Sequence, residues 1–312
     1  MDFREFLKRY KAPGISWPSR EQQHVKDLPL PKALVTLKQS QDGLFSAIQA
    51  LSEHHLLSAP VVDDDGKLVT ILDTLDIAAY IVEMEAAGKK ALSDEKLEKL
   101  LGRCKNRTSC VTAEEGLDKV VESILGEGRR AVVLSEGKPE SIITHSTVVT
   151  FFNSKLKEIE ALVAPKMAQD ICTPRVVTIH DHATALTAFQ TLVAQGLSSL
   201  IITDDSGAAI TVVSATDLVM ALGHEDDKSA ILSELRDRNV VFFVGDSRKP
   251  DRHFSHTRAP IISVSNETPM SMVIEKFATT RVHRMLVVPA GSRKPAGVLS
   301  LLDICKGLTS GA

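Results

Sequence analysis

One phrase recurs near the end of each quarter of the chain and limits what the chain can fold into. It reads I-L-D-T-L-D-I-A at 71–78, I-T-H-S-T-V-V at 143–149, V-S-A-T-D-L-V-M at 213–220 and L-S-L-L-D-I-C-K at 299–306. Each copy is an apolar run, a short polar residue, two spacers, a second polar residue and an amphipathic stretch. The second polar residues are Asp76, Thr147, Asp217 and Asp303, spaced by 71, 70 and 86 residues. A period of this length means one supersecondary unit copied, so the chain is predicted to be an array of four repeats.

The upstream part of each unit repeats as well. A small or β-branched residue, Ala47, Val120, Ala188 or Val273, marks the middle of a first helix, 27 to 30 residues before the second polar residue. Between them lie two apolar strands joined by a Gly-containing turn, a hairpin pattern. Short strands are expected ahead of the helices at 35–37, 176–179 and 262–264. Each unit therefore reads β-α-β-β-α, an α/β fold. The repeats are expected at about 31–88, 104–156, 171–223 and 259–310, in two consecutive pairs over 31–160 and 165–312, with Pro165 near the boundary.

Three segments lie outside the repeats. In the 1–30 extension, Phe3, Phe6, Leu7 and Tyr10 form one helical stripe, to pack on the protein's own surface or to bind a partner. Residues 83–106 read as one charged helix joining units one and two. The 223–258 insert widens the last period and carries V-V-F-F-V at 240–244, readable as an extra strand.

Composition narrows the function. At 312 residues the chain can bury two domain-sized cores. A net charge of −3 and 4% aromatic content leave no footprint or stacking platform for nucleic acid. The longest apolar runs are too short to span a membrane. Cys104, Cys110, Cys172 and Cys305 lack metal spacing and fit reduced thiols, consistent with a cytoplasmic or nuclear location. No P-loop, nucleophile elbow or H-E-x-x-H motif is present, so the expectation is that the chain is not an enzyme and carries no cofactor.

The recurring phrase has two readings. Ser214-x-x-Asp217 and Ser300-x-x-Asp303 are helix-capping patterns, in which an acid in the first turn suits the helix dipole. Repeated at every strand-to-helix junction, they also look like a ligand site. A helix N-terminus offers donors to an anion, the hydroxyl adds another, and the carboxylate can accept both hydroxyls of a ribose. His283-Arg284 and Arg129-Arg130 stand before equivalent strands in units four and two. Isolated, such doublets are solvated strand edges; converging, their guanidinium groups suit phosphate. Thr178, Asp76 and these residues complete the candidate ligand set. His180-x-His182 and His253-x-x-His256 are read as surface histidines rather than metal ligands. His145, a spacer in its unit, is expected to be exposed.

The units resemble cystathionine-β-synthase (CBS) domains, and the four-repeat layout resembles the gamma subunits of AMP-activated and sucrose-non-fermenting-related protein kinases. R-V-H-R-M-L-V-V at 281–288 and G-V-L-S-L-L-D-I at 297–304 carry the resemblance most specifically. It implies two Bateman modules in a disc, with AMP, ADP or ATP as regulatory ligands and kinase alpha- and beta-type subunits as partners. It further implies that Asp217 works with His283 and Arg284, and Asp303 and Ser300 with Arg129 and Arg130. The chain departs from the family at Asp73, which replaces Ser or Thr, and at Leu57, which replaces a basic residue with His54 and His55 nearby. It departs again at Gly196, which replaces an arginine, at Arg129, which replaces a histidine, and at Thr147, which replaces the Asp as in the gamma subunit's own second repeat. Sites in units three and four are therefore expected to be the competent ones. The alternative is a scaffold or partner-binding regulator with largely vestigial sites.

Overall fold

The computed structural model describes residues 24–31, 33–102, 104, 108–125, 130–225, 228–248 and 261–309. The stripe at Phe3–Tyr10, Arg129, His253 and His256 lie outside these residues.

All four repeats have the predicted element order. Repeat one comprises β1 (Leu37–Lys38), α1 (Leu44–Glu53), β2 (Ser58–Val62), β3 (Leu68–Asp73) and α2 (Thr74–Ala86). After α3 (Leu97–Leu101), repeat two runs through β4 (Thr108–Val111), α4 (Leu117–Leu125), β5 (Arg130–Ser135), β6 (Lys138–Thr144) and α5 (His145–Ser154). Two short helices, α6 (Glu160–Val163) and α7 (Ala168–Ile171), lead to repeat three. That repeat comprises β7 (Thr178–His180), α8 (Ala185–Gln195), β8 (Ser199–Thr203), β9 (Ala209–Ser214) and α9 (Ala215–His224). The insert contributes α10 (Ile231–Asp237) and α11 (Val240–Ser247). Repeat four comprises β10 (Ser263–Val264), α12 (Met270–Thr280), β11 (Arg284–Val287), β12 (Gly297–Ser300) and α13 (Leu301–Thr309).

In each three-stranded sheet the first strand pairs parallel with the second, and the second antiparallel with the third. The parallel pair needs a crossover, which the first helix supplies; the antiparallel pair needs only a turn. Ala47, Val120, Ala188 and Val273 are all fully buried, as the repeat pattern requires. The front strand of repeat two, absent from the sequence reading, is β4.

Two local expectations are corrected. The 83–106 segment is not one helix. Helix α2 ends at Ala86, Gly88 takes a left-handed φ of +73°, and helix resumes only at Leu97. Residues 240–244 are helix, not strand. The Asn239 side chain accepts from the N–H groups of Val241 and Phe242, supplying the cap that a β-branched run needs to enter a helix. Val240, Phe243, Val244 and Ser247 are buried, at helical spacing.

By contact the chain forms two compact units, and these are not the consecutive halves 31–160 and 165–312. One gathers repeats two and four, with α6, α7 and the described residues before Val35; the other gathers repeats one and three, with α3, α10 and α11. Each unit has its own apolar core. In one, Ile48, Ile77 and Leu97 cluster with Phe189, Leu218 and Phe243. In the other, Val120, Ile143 and Val148 cluster with Val273, Phe277 and Ile304.

Candidate functional site

The strand register shows which residues are equivalent between repeats. Opposite the residue that starts each second helix stand Ser58 (facing Asp73), Arg130 (Thr144), Ser199 (Ser214) and Arg284 (Ser300). Arg130 and Arg284 thus occupy one position, as their sequence context suggested. Repeats one and three place Leu57-Ser58 and Ser198-Ser199 there. Gly196 lies just upstream, at the left-handed C-cap of α8.

The capping reading of the recurring phrase is realised in all four repeats. Asp73 accepts from the N–H groups of Leu75 and Asp76, which accounts for a carboxylate at that position. Thr144 and Thr147 exchange weaker bonds of 3.4 and 3.3 Å. In repeats three and four the acid accepts from the backbone and hydroxyl of its own Ser. Asp217 Oδ2 lies 2.7 Å from both Ser214 N and Oγ; Asp303 Oδ2 lies 2.7 and 2.6 Å from Ser300 N and Oγ.

What differs is the remaining oxygen, and a second repeated device sets it. The residue that opens each of four short helical segments bridges to the start of a repeat's first helix: His24 to Gly116, Lys96 to Gly43, Met167 to Pro269 and Asn239 to Thr184. The chain leaving such a segment then reaches the second helix of the same repeat. It brings Cys104 to Asp76, Thr173 to Asp303 and Arg248 to Asp217. Sequence reasoning identified none of these three partners.

The three partners leave three different carboxylates. Burial, then Asp76 and Asp73, push the Cys104 thiol up to about 12, so a neutral S–H faces Asp76. Thr173 gives Asp303 one hydroxyl bond, of 3.1 Å to Oδ1. Gly297 makes that approach possible, because a Cβ there would lie 2.6 Å from Cys172 Sγ and 3.2 Å from Thr173 O. Arg248 grips Asp217 with both Nε (2.6 Å to Oδ1) and Nη2 (3.0 Å to Oδ2), and Asp217 is buried. Asp217 is thus held in an ion pair within its own unit, while His283 and Arg284 belong to the other.

Asp303, Ser300, His283, Arg284 and Arg130 all belong to one unit. His283 is exposed by surface area, yet enough protein packs around it to cost its charged form some hydration. That desolvation, followed by the charges of Arg284 and Arg130, holds its pKa below the usual 6.5. The charge of Arg130, in repeat two, thus acts on His283 in repeat four. A neutral imidazole under the influence of two guanidinium charges can donate one hydrogen bond and take up a proton when an anion arrives.

A pH dependence follows. Near neutrality the folded His283 binds fewer protons than the unfolded chain does. Stability is expected to be full above 6.5, to fall as pH drops through that value, and to level off below the lowered folded pKa. Thermal melts should show a smaller acid-side fall for His283→Gln; an unchanged fall would assign it to another group.

Other candidates are placed differently. Thr178 is exposed on β7 and makes no side-chain hydrogen bond among the described residues. His145 is half-buried rather than exposed, its Nε2 lying 3.0 Å from Ile124 O. His180 and His182 are not isolated: their rings stack at 4.8 Å, and His180 lies 2.9 Å from both Asp181 and Asp205. Among the described residues, His180, Asp181 and His182 form the one grouping with the donors for a metal ion. No described helix is long and apolar enough to cross a membrane.

Comparison with known proteins agrees with this architecture. The CBS domain family matches residues 25–83, 168–224 and 254–310. The second repeat is not matched but has the same element order. The chain is 23% identical over 280 residues to a 5'-AMP-activated protein kinase subunit gamma of Kluyveromyces lactis, covering 83% of this chain and 80% of the relative. A solved structure from Methanocaldococcus jannaschii, described as a candidate archaeal homolog of γ-AMPK, superposes with a TM-score of 0.71 at 18% identity, over 91% of this chain and 99% of that one. An uncharacterized conserved protein of Pyrococcus horikoshii gives 0.52 at 18% identity, over 91% and 98%.

Proposed function

The chain belongs to the CBS-domain family, and from that premise we propose that it is a non-catalytic, gamma-like regulatory subunit of a protein kinase complex that binds AMP, ADP or ATP. One observation carries this reading. A half-buried carboxylate, Asp303, sits at a helix start in the same unit as a basic set, His283, Arg284 and Arg130, in which both arginine charges act on the histidine. The carboxylate suits a ribose diol, and the guanidinium groups suit phosphate. Kinase alpha- and beta-type subunits are the partners this reading implies, and co-purification with them tests that part.

The ligand part is tested by calorimetry with AMP and adenosine at low and moderate salt. AMP should bind more tightly, with a preference that shrinks as salt rises. Arg284→Ala should cost AMP about 1.5–3 kcal/mol, the range for hydrogen bonds to charged groups, and leave adenosine nearly unchanged. Equal losses for both ligands would remove the phosphate role from Arg284.

A second reading, a scaffold with vestigial sites, is favoured by two specific features. Asp217 is already committed to Arg248, and Asp73 places an extra carboxylate beside Asp76. It predicts no measurable binding of any adenine nucleotide.

A further inference from the structure

The ion pair between Asp217 and Arg248 joins two repeated features that no sequence motif connects. Asp217 is the repeat-three counterpart of Asp303. Four donors converge on it, Ser214 N, Ser214 Oγ, Arg248 Nε and Arg248 Nη2, while the Ser247 hydroxyl, 3.4 Å away, lies closer to Val244 O at 3.0 Å. A carboxylate offers about four lone-pair positions, so this one is saturated. Arg248 Nη2 also donates to Val212 O at 2.6 Å, which fixes the guanidinium against the strand leading into the site. Among the described residues Asp303 accepts three bonds.

We propose that repeat three is a self-occupied ligand site, in which the Arg248 guanidinium takes the place of a ribose diol on Asp217. The guanidinium presents two parallel N–H donors, as a diol presents two O–H donors, and it adds a full opposite charge. It is held locally by α11, whose Val240, Phe243 and Val244 are anchored in the core, so no diffusing ligand matches its effective concentration. The chain therefore binds its adenine ligand at Asp303 and keeps Asp217 shut. The insert that supplies Arg248 decides how many ligands the chain holds. This inference rests on the reading of the repeat carboxylates as ribose ligands.

Calorimetric titration of AMP into the full chain tests it, comparing wild type, Arg248→Ala, Asp217→Ala and the double variant. Arg248→Ala should gain one further site, the double variant should lose that gain, and Asp217→Ala alone should leave the wild-type stoichiometry unchanged. A wild type that binds at Asp303, with an Arg248→Ala chain of unchanged stoichiometry, overturns the proposal and spares the assigned function. A loss of one site in Asp217→Ala also overturns it. Conversely, a wild type that binds nothing, with an Arg248→Ala chain that binds through Asp217, supports the self-occupied site and removes the Asp303 assignment. If Arg248→Ala does not fold, the Nε–H resonance of Arg248 in the wild type replaces it. That signal should stay protected through saturation with AMP, and its release on saturation would overturn the proposal.

Discussion

Phe243→Ala is expected to destabilise the protein by about 3–5 kcal/mol, the usual loss when a fully buried aromatic is cut to a methyl. Phe243 is 1% exposed and meets Phe189 edge-on, with ring centroids 5.5 Å apart and planes at 76°. Its neighbour Phe242 is 71% exposed, so Phe242→Ala should change stability by no more than about 0.5 kcal/mol. The pair separates two readings of the same five residues. In a strand, 240, 242 and 244 share a face, and Phe242 would be the costly loss. In a helix, 240, 243 and 244 share it. Midpoint shifts in chemical unfolding measure both variants; a larger loss at Phe242 would refute the helix. The consequence reaches the site, because α11 is what carries Arg248 to Asp217.

Asp303→Ala should weaken adenosine and AMP binding alike by about 1.5–3 kcal/mol, since both ligands present the ribose diol that this carboxylate is read to accept. Removing the acid from the first turn of α13 also costs the helix about 0.3–1 kcal/mol through its dipole. A melt of the unliganded variant isolates that smaller loss. Asp303→Asn keeps the size and one accepting oxygen but drops the charge, and should fall between wild type and Ala in affinity. Full affinity in Asp303→Ala, for a chain that still melts cooperatively, would rule out the ribose role. Parallel losses for the two ligands here, against unequal losses in Arg284→Ala, would divide the site into a ribose end and a phosphate end.

The repeat, its element order and the buried helix centres were legible in the sequence because each depends on local periodicity. Equivalence of Arg130 and Arg284 was legible for the same reason: both immediately precede the apolar residues of a strand. The helical character of 240–247 was not, because β-branched and aromatic residues favour strands and only the Asn239 cap, with three core contacts at helical spacing, overrides that preference. The 83–106 segment was misread because its charged, Lys- and Glu-rich composition favours helix throughout, while the turn at Gly88 depends on a single left-handed residue.

The sequence by itself determined that there are four copies of one α/β unit and that three of them carry a carboxylate at a helix start. Both properties are written within single units, where spacing is a sufficient guide. Only the tertiary structure decided which distant donor each carboxylate meets. Arg248 meets Asp217 from 31 residues downstream, and Thr173 meets Asp303 from 130 residues upstream. Each arrives on a segment outside the repeat it serves, positioned by bridges to that repeat's first helix. A carboxylate's capacity for a ligand is set by the donors already on it, and those donors are chosen by packing between distant segments, which no local pattern records.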